Sequence, residues 1–131
     1  MIYCDSSALL KLVFLEPETT ELRRWLFERP GEPLVSSELA RVEVLRGCRR
    51  LDAGTLPQAR ALLADIELIP LAGRVIDDAG DIAEPLLRSL DALHLASALS
   101  IAPDLTAFIA YDRRLAAAAT AAGLLTFQPG A

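Results

Sequence analysis

The sequence predicts an α/β fold, a parallel sheet covered by helices on both faces. Three observations carry the prediction. Short apolar runs such as Ile2-Tyr3-Cys4 and Phe108-Ile109-Ala110-Tyr111 alternate with longer segments of helical pattern, and strands separated by helices pair in parallel. At 131 residues the chain is long enough for one well-buried core and too short for two, so residues 1–131 are expected to form one domain. Asp5 and Asp112 each stand just past one of the apolar runs, where open parallel sheets gather their ligands.

Taken in order, residues 2–4 read as a strand and 6–13 as a helix capped by Asp5, Ser6 or Ser7. Pro17 suits the start of a second helix over about 18–29. Arg29-Pro30-Gly31-Glu32-Pro33 is a loop leading into a strand at 34–36, after which Ser36 or Ser37 caps a helix running to about 51. Asp52-Ala53-Gly54 is a turn, 56–65 a helix, and Glu67-Leu68-Ile69 a strand ended by Pro70. Helices are expected over 72–88 and 91–101, the second stopped by Pro103. A strand at 106–110, a helix at 112–122 stopped by Gly123, and a strand at 124–127 complete the reading.

Composition narrows the function. Apolar residues make up 53% of the chain, yet no run reaches the roughly 18 uncharged residues a membrane span requires. The excess points to a large core or to a surface covered by a partner. No basic segment followed by an apolar one opens the chain, so a soluble, cytoplasmic protein is expected. One histidine and two unpaired cysteines, Cys4 and Cys48, argue against zinc and against a disulfide framework. A net charge of −5 argues at first sight against nucleic acid. Setting four unusual acids aside brings the balance close to neutral, and twelve of the thirteen basic residues are Arg, a bidentate phosphate binder.

Those acids are Asp5, Glu43, Asp91 and Asp112, each beside or inside an apolar stretch. A carboxylate against a core is costly unless something neutralises it, and like charges close together resist joint ionisation. A hard divalent cation held by oxygen ligands answers both problems, which is the outline of a metal-dependent hydrolase. Local readings exist for each acid. Asp5, Asp91 and Asp112 could cap helices, and Glu43 could pair with Arg46 three residues on. Leu39, Glu43, Arg46 and Arg50 share one helical stripe, facing either solvent or a polar cleft. His94, one turn after Asp91, reads as a core or locally bonded residue, because hard cations prefer oxygen. Asp77, Asp78, Asp81 and Glu84 have cation-site spacing but read as a solvated face.

Four blocks carry a resemblance: Ile2-Tyr3-Cys4-Asp5-Ser6-Ser7-Ala8-Leu9; Ser36-Ser37 leading to Glu43-Val44-Leu45-Arg46; Leu87-Arg88-Ser89-Leu90-Asp91-Ala92-Leu93-His94-Leu95-Ala96; and Tyr111-Asp112-Arg113-Arg114-Leu115 with Gly123-Leu124. Together they resemble the PIN-domain ribonucleases and, among them, the VapC toxins of toxin–antitoxin pairs. One departure stands out: Ala110 occupies a position where that family commonly has Thr or Ser.

The resemblance implies a PIN-like three-layer α/β/α sandwich and an endoribonuclease dependent on Mg²⁺ or Mn²⁺. Asp5, Asp91 and Asp112 would hold metal, Glu43 would act on the attacking water, and Ser6, Arg46 and Arg50 are candidates for contact with the RNA substrate. It further implies a homodimer and a VapB-like antitoxin, in a heterotetramer or larger assembly. Two competing readings are a degenerate scaffold that binds RNA or protein without cutting, and a receiver-like phosphotransfer domain. The second is disfavoured because no Lys follows Lys11.

Overall fold

Strand β1 (Ile2–Cys4) lies at the centre of an all-parallel five-stranded sheet. The computed structural model describes residues 1–131. Strands β2 (Leu34–Ser37) and β3 (Glu67–Ile69) extend the sheet to one side of β1, and β4 (Ala107–Ile109) and β5 (Thr126–Phe127) to the other, in the order β3-β2-β1-β4-β5. The chain thus builds outward from β1 in one direction, then crosses to its other edge and builds the opposite way. This reversal between β1 and β4 opens a crevice at the carboxyl ends of the strands.

Seven helices connect the strands: α1 (Ser6–Val13), α2 (Thr19–Phe27), α3 (Leu39–Leu51), α4 (Leu56–Asp65), α5 (Gly73–Gly80), α6 (Ser89–Leu99) and α7 (Arg113–Ala121). Side chains alternate across each strand, and the two cores follow that alternation. Ile2, Cys4, Ala107 and Ile109 point to one face and pack with Leu9, Leu22, Val44, Cys48 and Leu63 from α1 to α4. Tyr3, Val35, Phe108 and Ala110 point to the other and pack with Leu95, Ala98, Leu115 and Ala119 from α6 and α7. Burying each large apolar side chain contributes about 1.5–3 kcal/mol, so both faces must be covered, and the result is the expected three layers. Both cysteines are buried and free.

Register places the functional ends side by side. Tyr3 pairs with Phe108 and Cys4 with Ile109, and the Asp5 amide donates to the Ile109 carbonyl at 3.1 Å. β1 and β4 therefore end level, and the loops carrying Asp5 and Asp112 leave the sheet as neighbours.

Three expected elements differ. The helix expected over 72–88 ends at Gly80. Gly80 and Pro85 break it, and residues 81–88 run irregularly to the start of α6. Helix α6 begins at Ser89 rather than at 91, which puts Asp91 in its first turn and makes Arg88 the cap residue. Ser36 and Ser37 belong to β2, and α3 starts at Leu39; the Ser37 hydroxyl still accepts from the Leu39 amide at 3.1 Å, and Ser36 donates to the Cys4 carbonyl. Gly123 follows the end of α7 with φ of +94°, the left-handed conformation that suits glycine as a helix stop. No helix is long and apolar enough to cross a membrane.

Candidate active site

Asp5 follows β1 directly and caps α1: its Oδ1 accepts from the Ala8 amide at 2.9 Å and from the Ser7 hydroxyl at 2.6 Å. The Ser7 oxygen in turn accepts from the Tyr111 amide at 3.1 Å. One serine thus ties the end of β1 to the loop after β4. Asp112 repeats the arrangement, capping α7 with Oδ1 at 3.0 Å from the Leu115 amide. Each aspartate uses Oδ1 on its helix and leaves Oδ2 off it. Asp5 is 4% exposed, and burial, with a smaller push from Asp91, raises its carboxyl above the ordinary value despite the hydrogen bonds it accepts from Ser7 and the Ala8 amide.

Glu43 enters from α3, one of four elements that meet here. Its Oε1 accepts from His94 Nε2 at 2.6 Å and from the Ser6 hydroxyl at 2.7 Å. His94, 2% exposed, meets the Tyr3 phenol through Nδ1 at 2.7 Å. Burial pushes the Glu43 carboxyl up, but the bonds from His94 and Ser6, with the charge on Arg88, outweigh it and leave the group below its ordinary value. The Glu43–Arg46 pairing available on α3 does not form; the stripe of Glu43, Arg46 and Arg50 turns inward to the cleft.

Asp91 projects from the first turn of α6, where the helix N-terminus favours negative charge. Arg88 Nε lies 3.2 Å from Asp91 Oδ2, and Arg88 Nη2 lies 3.5 Å from Asp112 Oδ2. This guanidinium bridges two carboxylates across the crevice while remaining largely exposed. Its presence was legible only as a residue three before Asp91, a spacing that also describes ordinary surface pairs.

All four acids, together with Ser6, Arg46, Arg50, Arg88 and His94, line one cleft of about 520 Å³. No three Asp, Glu, His or Cys side chains converge closely enough to share an ion as they stand, and Arg88 spans the gap between Asp91 and Asp112. The donor set nevertheless fits a hard cation. It is all carboxylate, Asp5 Oδ2 meets no protein donor, and the buried Asp5 has no cationic partner within pairing distance. The acids at 77, 78, 81 and 84 are exposed and lie outside this cleft, with Asp78 beside Arg74. Ala110 is buried in the second core, its carbonyl held by Gln128 Nε2 at 2.7 Å, so no side-chain hydroxyl stands behind Asp112.

The PIN domain family matches residues 2–121. The chain belongs to that family. Within it the chain falls among the VapC ribonucleases. It is 47% identical to Ribonuclease VapC47 of Mycobacterium tuberculosis, over 100% of this chain and 98% of the relative. It is 41% identical to Ribonuclease VapC46 of the same species, over 98% and 97%. Among solved structures, Mycobacterium tuberculosis VapC20, described as a toxin cleaving the sarcin–ricin loop, superposes with a TM-score of 0.77 at 17% identity, covering 98% of this chain and 100% of that one. VapBC2 of Rickettsia felis, solved bound to a promoter DNA fragment, superposes with a TM-score of 0.74 at 14% identity, covering 98% and 99%. At such identities the superpositions speak for the PIN fold.

Proposed function

We propose that this VapC-family chain is an Mg²⁺- or Mn²⁺-dependent endoribonuclease that acts as the toxin of a toxin–antitoxin pair. One observation carries the reading: four carboxylates from four separate elements line one cleft at the reversal of the sheet, and the buried one, Asp5, makes no salt bridge. Full-length similarity to proteins named as ribonucleases supports the same chemistry.

Asp5, Asp91 and Asp112 would hold the ion. When bound, it supplies positive charge that offsets repulsion between the acidic cleft and the scissile phosphodiester and makes water a better nucleophile at neutral pH. Glu43 orients the attacking water through the oxygen it keeps free, and takes its proton. The Ser6 hydroxyl lines the same space, with its proton committed to Glu43. Arg46 and Arg50, exposed on the α3 wall of the cleft, would grip phosphates of the RNA strand. Arg88, which lies beside Oδ2 of both Asp91 and Asp112, would compete with the ion for those oxygens.

A VapB-like antitoxin is the expected partner, with the toxin itself a homodimer inside a heterotetramer or larger assembly. Leu86, Leu90 and Val42 are large apolar side chains left exposed, and Leu90 and Val42 lie on the rim of the acidic cleft. A partner segment covering that rim would bury them and block RNA at once.

The test is cleavage of structured RNA by the purified chain in Mg²⁺ or Mn²⁺, with EDTA and with Asp5→Asn as controls. The expected outcome is cleavage abolished by either control. Binding of RNA without any cleavage in either ion would favour the degenerate-scaffold reading instead.

A further inference from the structure

Glu43 is held by a chain of buried hydrogen bonds that starts on the central strand, and the acidic residues alone do not account for it. Tyr3 sits in the middle of β1, fully buried, stacked on Phe108 with ring centroids 5.2 Å apart and meeting His94 edge-on at 5.9 Å. Its phenol meets His94 Nδ1 at 2.7 Å; His94 Nε2 meets Glu43 Oε1 at 2.6 Å; Ser6 donates to that same oxygen at 2.7 Å. The contacts join residues 91 and 51 positions apart in sequence, so they are made only once the sheet, α3 and α6 are in place.

The proton order along this chain follows from the donors. A phenol carries its proton at neutral pH, and Tyr3, fully buried, has it to donate. The Ser36 and Ser97 hydroxyls also stand near the phenol, but Nδ1, at 2.7 Å, is the group in hydrogen-bonding geometry with it, and it accepts the phenolic proton. A neutral imidazole with Nδ1 as acceptor carries its proton on Nε2, and that proton points at Glu43. Both donors, His94 and Ser6, converge on Oε1, so no protein donor remains for Oε2. The carboxylate is thereby locked in one rotation, with a single oxygen turned to the cleft.

We propose that His94, with its tautomer set by Tyr3, is the positioning residue that aims Glu43 Oε2 at the reacting water. The proposal rests on the nuclease reading of this cleft and adds to it a role for a histidine that neither binds the ion nor touches RNA. Partners of this kind, one step removed from the reacting atoms, typically change activity about 10–100-fold when removed.

His94 is the sole histidine, so ¹⁵N-histidine labelling of the full chain in EDTA yields one imidazole spin system. The expected spectrum shows the Nε2–H tautomer with Nδ1 as acceptor, shifted by Tyr3→Phe and by Glu43→Gln. An Nδ1–H tautomer, or a spectrum indifferent to both substitutions, overturns the proposal whether or not the chain cleaves RNA.

Kinetics provide the second arm. His94→Leu should lower kcat by about 10–100-fold with KM and Mn²⁺ affinity little changed, and His94→Gln, whose amide can still donate to Glu43, should recover much of the loss. A folded His94→Leu protein with wild-type kcat refutes it, as does equal loss in the Leu and Gln variants. Tyr3→Phe gives a milder version should His94→Leu fail to fold, with kcat expected to fall and KM to hold. A wild-type chain that cleaves nothing in Mg²⁺ or Mn²⁺ would instead count against the nuclease reading, and the tautomer would still be decided by the spectrum.

Discussion

The two ends of the acidic cleft are held by different physics. At the Glu43 end the carboxylate is fixed by two donors, one of them from an imidazole that is 2% exposed and itself bonded to a buried phenol. At the Asp91–Asp112 end the carboxylates are joined by one long, exposed guanidinium at 3.2 and 3.5 Å. Buried, fully partnered networks are costly to disturb, whereas exposed ion pairs contribute only about 0–1 kcal/mol. The first end is therefore set before any ligand arrives, and the second is exchangeable. Under the proposed nuclease reading, a site that orients water and admits and releases an ion has use for both.

The largest expected effect lies at the exchangeable end. Asp91→Asn should remove a metal ligand, and loss of the several kcal/mol a bound ion supplies corresponds to about 10³-fold or more in cleavage rate. Because Asp91 pairs only with an exposed guanidinium, the melting temperature should scarcely move. Cleavage assays paired with thermal melts check this, and a variant that melts early would break the contrast between the two ends. At the fixed end the expectation reverses. Glu43→Ala leaves His94 Nε2 and Ser6 without their acceptor in a buried pocket and should cost about 1–3 kcal/mol of stability in denaturant titrations. Glu43→Gln, which keeps an acceptor oxygen, should be far milder for the fold while still lowering cleavage.

That contrast also marks what the sequence made legible. Asp5 and Asp112 announced themselves by standing past strand-like runs, but the α/β alternation leaves the strand order open, and the pairing of β1 with β4 that sets them side by side is seen only in the fold. The stripe of Glu43, Arg46 and Arg50 was visible, but periodicity within α3 could not choose between solvent and cleft; the choice is made by His94 and Ser6, which arrive from other elements. His94 reads as a core residue and is one, and its bond to Glu43 lies 51 residues away, beyond any local pattern. The helix expected over 72–88 fails for a reason that was visible, Gly80 and Pro85, yet apolar residues at 75, 76, 79, 82 and 86 kept a helical rhythm across the break.

A smaller effect separates stability from activity at Asp5. Its carboxyl is raised by burial, so between the unfolded and folded values the native state keeps a proton that the unfolded state has released. Stability contributed by this group therefore falls as pH rises through that window. Asn keeps the capping oxygen without the charge. In EDTA at neutral pH, Asp5→Asn should be more stable than the wild type by about 1 kcal/mol, the range common for stabilising changes at functional sites, and the gain should vanish in acid below the Asp5 titration. Glu43, held below its ordinary value, runs the other way: its contribution is present above the unfolded value, about 4.3, and is lost as pH falls through the folded one. Thermal melts across pH for Asp5→Asn and Glu43→Gln should thus slope in opposite senses, and parallel slopes would contradict the division of the cleft.

The smallest expected effect is also the sharpest probe of exchange. Arg88 is an exposed residue, so Arg88→Ala should change stability by no more than about 0.5 kcal/mol. An incoming divalent ion, however, no longer has to displace a positive charge from Asp91 and Asp112. Unit charges about 4 Å apart in water interact by about 1 kcal/mol, which amounts to about a fivefold tightening of Mn²⁺ binding, measurable by calorimetry without RNA present. Arg88→Lys, which retains the charge on a shorter and more mobile head, should fall between the two. If Arg88→Ala binds Mn²⁺ no better than the wild type, then the guanidinium does not compete with the ion, and the open end of the cleft is as fixed as the Glu43 end.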